Sequence, residues 1–216
     1  QGHLYTAFLN SLLYSGASVA LSILICAPAA YGLARYHFRL NQTIQRLLVL
    51  GLGVPSVMII MPLFSIISIL KMGDSKLTLI ILYVVTSIPF NIFYLIPCFS
   101  NISPTYEEAA AIDGCGPLRS FWTIVFPLAG STVTTLVIFQ FIGKWNAYFM
   151  ALICAGSTKN MSLSVALYQL IVAMTREGGW SGMFAAVSLV SAPTIILYIL
   201  LSKKIIGGVT AGGLKG

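Results

Sequence analysis

The chain has 216 residues, of which 58% are hydrophobic and only 8% charged, against roughly a quarter charged in ordinary soluble domains. That balance excludes a soluble globular protein and reads as a multi-span membrane protein, with residues 1–216 forming one transmembrane domain. A formal charge of +7 does not indicate a nucleic-acid partner: the twelve basic residues are scattered over short loops and form no binding stripe.

A bilayer span needs about 20 predominantly apolar residues, and five runs qualify: roughly 12–34, 47–70, 77–99, 125–149 and 183–202. Each carries proline inside it or at its edge, namely Pro28, Pro55, Pro62, Pro89, Pro97, Pro127 and Pro193. Such prolines are tolerated where neighbouring helices satisfy the freed carbonyls. The fold class expected is therefore all-α, a polytopic helical bundle.

Basic residues orient the spans. Arg35, Arg39, Arg46, Arg119, Lys203, Lys204 and Lys215 fall on one side, and Lys71, Lys76, Lys144, Lys159 and Arg176 on the other. The first set clusters more densely beside the spans and is assigned to the cytoplasm. Residues 103–122 and the tail 203–216 then lie inside, and the loop 150–182 outside. Within that loop, 161–175 is apolar but short for a span, which suggests a re-entrant or interfacial helix. Trp145, Tyr148 and Trp180 suit an interfacial aromatic belt, and Lys144 is placed to snorkel towards the interface.

The most informative stretch is EEAAAIDGCGPLRSFWTIVFP, residues 107–127. Ser103 is placed to cap a helix beginning at Pro104, and Thr105 with Glu108 has capping-box spacing. Glu107 and Glu108 fall in the first turn, where the helix dipole favours carboxylates. Ala109, Ala110 and Ala111 favour helix while leaving the backbone open to close approach. Gly114 suits a helix end with positive φ, and Gly116-Pro117 a new helix start. The expectation is a short surface helix, a bend, and a second helix leading into the membrane: a docking device.

Glu108-Ala109-Ala110, then Gly114, Ile124, Phe126 and Pro127 at their spacings, resemble the EAA loop of ABC-importer permeases, with Phe126 where the family usually has Leu. Trp145-Asn146 and the glycine-rich tail from Gly208 to Gly216 are similar to the carbohydrate-uptake branch, in particular the smaller maltose-type subunit. The resemblance runs from about Asn10 to the end. It implies a type I importer permease fold in which a first span precedes the five seen. It also implies a multi-pass protein of a bacterial or archaeal cytoplasmic membrane with its C-terminus inside. The implied partners are an ABC ATPase dimer, a second and different permease subunit, and an extracytoplasmic substrate-binding protein. Glu107, Glu108, Ala109, Ala110, Asp113, Gly114 and Pro127 are the implied ATPase-coupling residues.

For a sugar path, the residues with suitable chemistry at plausible depth are Asn91, Tyr94, Gln140, Asn146 and Tyr148. Helix-to-helix hydrogen bonding and belt packing would explain each of them equally well. The tail is no phosphate loop, because Gly213 is followed by Leu214. ATP and Mg are thus expected in the partner ATPase, with no cofactor in this chain. Cys26, Cys98, Cys115 and Cys154 lack metal-ligand spacing, and His3 and His37 sit at span ends, so no metal site and no catalytic residue is expected. A permease for an amino acid, polyamine or phosphonate, an ATPase-independent secondary transporter, and a non-transporting scaffold are the alternatives. The lack of an ionisable residue deep in a span argues against the secondary transporter, with ATPase association to decide, and solute flux in reconstituted vesicles would exclude the scaffold.

Overall fold

A computed structural model describes the backbone of residues 2–177 and 180–213, with side chains given as far as Ile199 apart from those of residues 2, 56, 176, 177, 189, 197 and 198. All the described elements are helical. In order they are α1 (Gly2–Arg35), α2 (Asn41–Leu52), α3 (Ser56–Ile69), α4 (Lys76–Ser100), α5 (Thr105–Ile112), α6 (Pro117–Ser120), a π-helical turn (Phe121–Val125), α7 (Phe126–Leu128), α8 (Gly130–Trp145), α9 (Phe149–Cys154), α10 (Leu163–Glu177) and α11 (Trp180–Gly213).

Two of the five expected spans are single helices long and apolar enough to cross a bilayer: His3–Arg35 and Lys76–Ser100. The run 47–70 is not continuous. It breaks at residues 53–55, where Pro55 caps α3 and disfavours helical geometry at the residue before it. The run 125–149 also breaks, at Ala129, where Pro117–Leu128 meets Gly130–Trp145 at 77°. Pro127 explains the irregular turn before that break. It has no N–H to offer the carbonyl four residues back, and the Phe126 N–H instead reaches the Phe121 carbonyl, five residues back. The run 183–202 lies within α11. The apolar stretch 161–175 forms most of α10, as a helix too short to span.

The chain packs as two compact units. The first comprises Gln1–Ala20, Val54–Thr86 and Phe139–Leu201, and the second Leu21–Gly53, Ser87–Ile138 and Ser202–Gly216. The core of the first includes Ala7, Tyr14, Leu79, Tyr83, Trp145, Cys154 and Val165. Trp145 is held edge-on by Phe8 at 5.5 Å and stacked by Phe141 at 5.8 Å. It is therefore a core residue and not part of an aromatic belt: only 3% of it is exposed. Lys144 beside it does not snorkel. Its side chain is buried and donates to Gln140 Oε1 one turn back, which corrects the expectation that it reaches towards the interface.

Polar side chains pin the first unit's loop at 155–163. Asn10 Nδ2 donates to the carbonyls of Lys159 and Met161, at 2.9 and 3.1 Å, while its Oδ1 accepts from Lys76 Nζ. The Tyr14 hydroxyl donates to the Asn160 carbonyl at 2.6 Å, and Asn160 Nδ2 donates to the Asp74 carbonyl at 2.7 Å.

The second unit is built around Leu95, Phe99, Phe121, Val125 and Leu136, all buried. Ser22 of α1 and Ser87 of α4 share a buried hydroxyl–hydroxyl bond of 3.0 Å. Small polar residues of this kind let membrane helices approach closely.

Candidate coupling site

The loop after α4 follows the local chemistry read from its residues, with one exception. Ser103 Oγ accepts a long bond of 3.4 Å from the Thr105 N–H, next to Pro104 at the helix start. The Thr105–Glu108 capping box does not form; Glu108 is exposed. The C-terminal end closes on its own carbonyls. The Cys115 N–H reaches the Ala110 carbonyl at 2.8 Å and the Gly114 N–H the Ala111 carbonyl at 3.0 Å. This paired closure needs a left-handed residue in the middle, and Gly114 supplies it with φ +77°. Gly116 is extended and Pro117 starts α6, where a missing N–H costs nothing.

Glu107 behaves differently from its neighbour. Its carboxylate turns back to the last residue of α1: Oε1 lies 2.8 Å from Arg35 Nε, and Oε2 accepts from the Tyr31 hydroxyl at 2.9 Å. Both charged side chains are largely buried, 12% and 21% exposed. A second arm of the Arg35 guanidinium donates to the Ile102 carbonyl, just past the end of α4. Nothing in the local sequence marks Arg35 as this partner, since the two residues lie 72 positions apart.

The outward side of the loop carries large apolar side chains beside exposed charged ones. Ile112 is 87% exposed and Leu118 70%, with Tyr106 half-exposed. Ala109 and Asp113 are exposed beside them, whereas Ala110 is buried against its own chain. Tyr106, Ala109, Asp113 and Ile124 line a shallow groove of about 520 Å³. Pro127 is exposed within the bent segment leading to α8. Glu108, Ala109, Asp113 and Gly114 thus share the loop's exposed surface; Glu107 turns inwards, and Ala110, though buried, also lines the groove.

The five residues considered for a sugar path are each engaged within their own unit. Asn91 is fully buried and lies 3.5 Å from Ser87 Oγ. Tyr94 stacks on Phe90, and Gln140 is engaged by Lys144. Tyr148 packs on Phe149 and Tyr168. Asn146 bonds back to the Ile142 carbonyl at 2.9 Å, yet it also lines a groove of about 330 Å³ in the first unit with Trp145, Ser164, Ser191 and Thr194. Tail residues 214–216, and every side chain beyond position 200, lie outside the described residues.

Comparison with known proteins agrees with this architecture. Residues 22–207 match the family described as the binding-protein-dependent transport system inner membrane component. An inner membrane ABC transporter permease protein of Escherichia coli is 34% identical over 97% of this chain and 74% of its own. The sulfoquinovosyl glycerol transport system permease protein of Agrobacterium fabrum is 32% identical over 99% of this chain and 74% of its own. Among solved structures, a chain of a bacterial ABC transporter involved in the import of the acidic polysaccharide alginate superposes with a TM-score of 0.83. It is 25% identical, over 94% of this chain and 75% of that one. With an all-helical fold, apolar helices of spanning length and this match over most of its length, the chain belongs to the family of inner membrane components of binding-protein-dependent transport systems.

Proposed function

We propose that this permease forms half of the translocation path of a carbohydrate importer, and that residues 103–122 couple it to an ATPase on the cytoplasmic side. The observation that carries the coupling assignment is that one short helix is anchored on one side and uncovered on another. Its inner side is held by the Arg35–Glu107 ion pair, while Tyr106 and Ile112 on α5, with Leu118 on α6, leave apolar surface uncovered. Apolar surface of this kind, beside exposed small residues, suits a protein partner. The carbohydrate assignment rests on relatives whose described cargoes are sulfoquinovosyl glycerol and alginate.

On this reading the ATPase dimer supplies ATP and Mg, a second permease completes the path, and a loaded binding protein docks outside. The tail lies inside and α10 lies outside. Free energy enters because the docking surface binds one ATPase state better than the other, which is what any population shift requires. Asn146, at its groove of mixed polar and apolar lining, is the candidate of the five best placed to touch a passing solute.

The test is purification of the tagged chain in mild detergent from cells expressing its native neighbours. Recovery of an ATPase and a second permease, with hydrolysis stimulated by a sugar-loaded binding protein, is the expected result. Purification alone, with solute flux that needs no ATP, would replace the reading with that of a stand-alone carrier.

A further inference from the structure

We infer that Arg35 and Glu107 form a tether, locked by Tyr31, that makes the coupling helix move as one body with the adjoining ends of α1 and α4. The inference rests on the coupling role proposed for residues 103–122 and assigns a positioning function to residues outside the docking surface.

Three contacts meet at one point. Arg35 is the last residue of α1, and its guanidinium is divided between the Glu107 carboxylate on α5 and the Ile102 carbonyl beyond α4. Tyr31, one turn earlier on α1, holds the second carboxylate oxygen. Both acceptor oxygens of Glu107 are therefore engaged by α1, which fixes the carboxylate in direction as well as position.

The ring of Tyr31 continues the connection. It lies 4.9 Å from Phe121 in the turn that follows α6 and 6.0 Å from Phe99 near the end of α4, and these two rings lie 5.8 Å apart. Tyr31 and the two phenylalanines are buried. The coupling segment is thus gripped on both sides of its Gly114 bend: through Glu107 before it and through Phe121 after it.

The chemistry favours a tether over simple packing. A largely buried ion pair contributes little net stability compared with apolar packing of the same volume, but it penalises any geometry that separates the charges. A helix that had only to be stable could use apolar residues here. One that must transmit a push without hinging gains from a contact that cannot slide. Lysine would keep the charge and lose the fork that serves Glu107 and Ile102 together.

The experiment uses the full chain in lipid nanodiscs with whatever subunits copurify. The variants are Arg35→Lys, Glu107→Gln and the exchanged pair Arg35→Glu/Glu107→Arg. Amide hydrogen exchange over residues 105–115 reads the tether directly. Exchange is expected to rise about tenfold in Glu107→Gln and less in Arg35→Lys, and to return at least halfway to wild type in the exchanged pair. In complexes that retain the ATPase, solute-stimulated uptake should fall about tenfold in Glu107→Gln.

Unchanged exchange in Glu107→Gln would overturn the tether, as would an exchanged pair no better than either single variant. Uptake at the wild-type level with raised exchange would overturn its role in transmission. If wild-type chain carries no ATPase, the coupling proposal fails by itself, and the exchange data still decide whether the tether exists.

Discussion

Two loops of this permease solve the same problem with opposite outcomes. The loop at 155–163 in the first unit is tied down by Asn10, Tyr14 and Lys76 and buries its apolar residues: Ala155 is 0% exposed, Met161 5% and Leu163 4%. The loop at 101–117 in the second unit is tied by Arg35 and Tyr31, yet it leaves Ile112 87% exposed. The first spends its polar contacts on closing its own core. The second uses them to hold a short helix in place while its apolar side remains open. Anchoring and burial are separate properties, and a docking element needs the first without the second.

This contrast can be broken from either side. The largest effect on stability is expected from Asn10→Ala, which removes one donor from two loop carbonyls and the acceptor of Lys76 at once. Leaving buried polar groups unpaired costs about 1–3 kcal/mol each. A clear fall in the melting temperature of the detergent-solubilised complex, with faster proteolytic nicking near 155–163, is the expected outcome. Retention of the ATPase at wild-type level should accompany it.

Gly114→Leu comes next. No atom lies within 4 Å of a Cβ built there, so bulk is not the obstacle; the φ of +77° is. The left-handed conformation costs a non-glycine residue about 1–2 kcal/mol. The variant should insert normally and still hydrolyse ATP, with uptake per ATP sharply reduced, as measured in proteoliposomes. Normal uptake would remove the bend from the coupling mechanism.

Ile112→Glu should have the smallest effect on folding, within about 0.5 kcal/mol for an exposed site. In a pull-down it should nevertheless lose most of its ATPase. If association survived, the exposed apolar face would not be the docking surface, and the comparison of the two loops would lose its functional meaning.

Much of the candidate coupling loop was legible from residues close together in the chain. The helix start near Pro104, the left-handed Gly114 and the restart at Pro117 depend on backbone sterics that act over a few positions. What lay outside local reach was direction. Glu107 and Glu108 read alike as first-turn acids, but one faces α1 and the other solvent. A helix apolar on every side gives no periodicity from which to choose its buried face, and for that reason Trp145 and Lys144 read as interfacial although both are buried. The breaks at residues 53–55 and at Ala129 were not legible either, because proline tolerance in a membrane helix depends on neighbours that a linear reading does not contain.

By itself the sequence determined the all-helical membrane class, the short helix before Gly114 and the backbone geometry at Gly114. These follow from transfer free energy and short-range dihedral preferences, which each segment carries with it. Only the tertiary structure decided that Arg35 is the partner of Glu107, that the loop at 155–163 is closed by Asn10 and Tyr14, and which apolar side chains remain uncovered. Those outcomes depend on residues up to 151 positions apart being brought within hydrogen-bonding distance, and no local propensity encodes that.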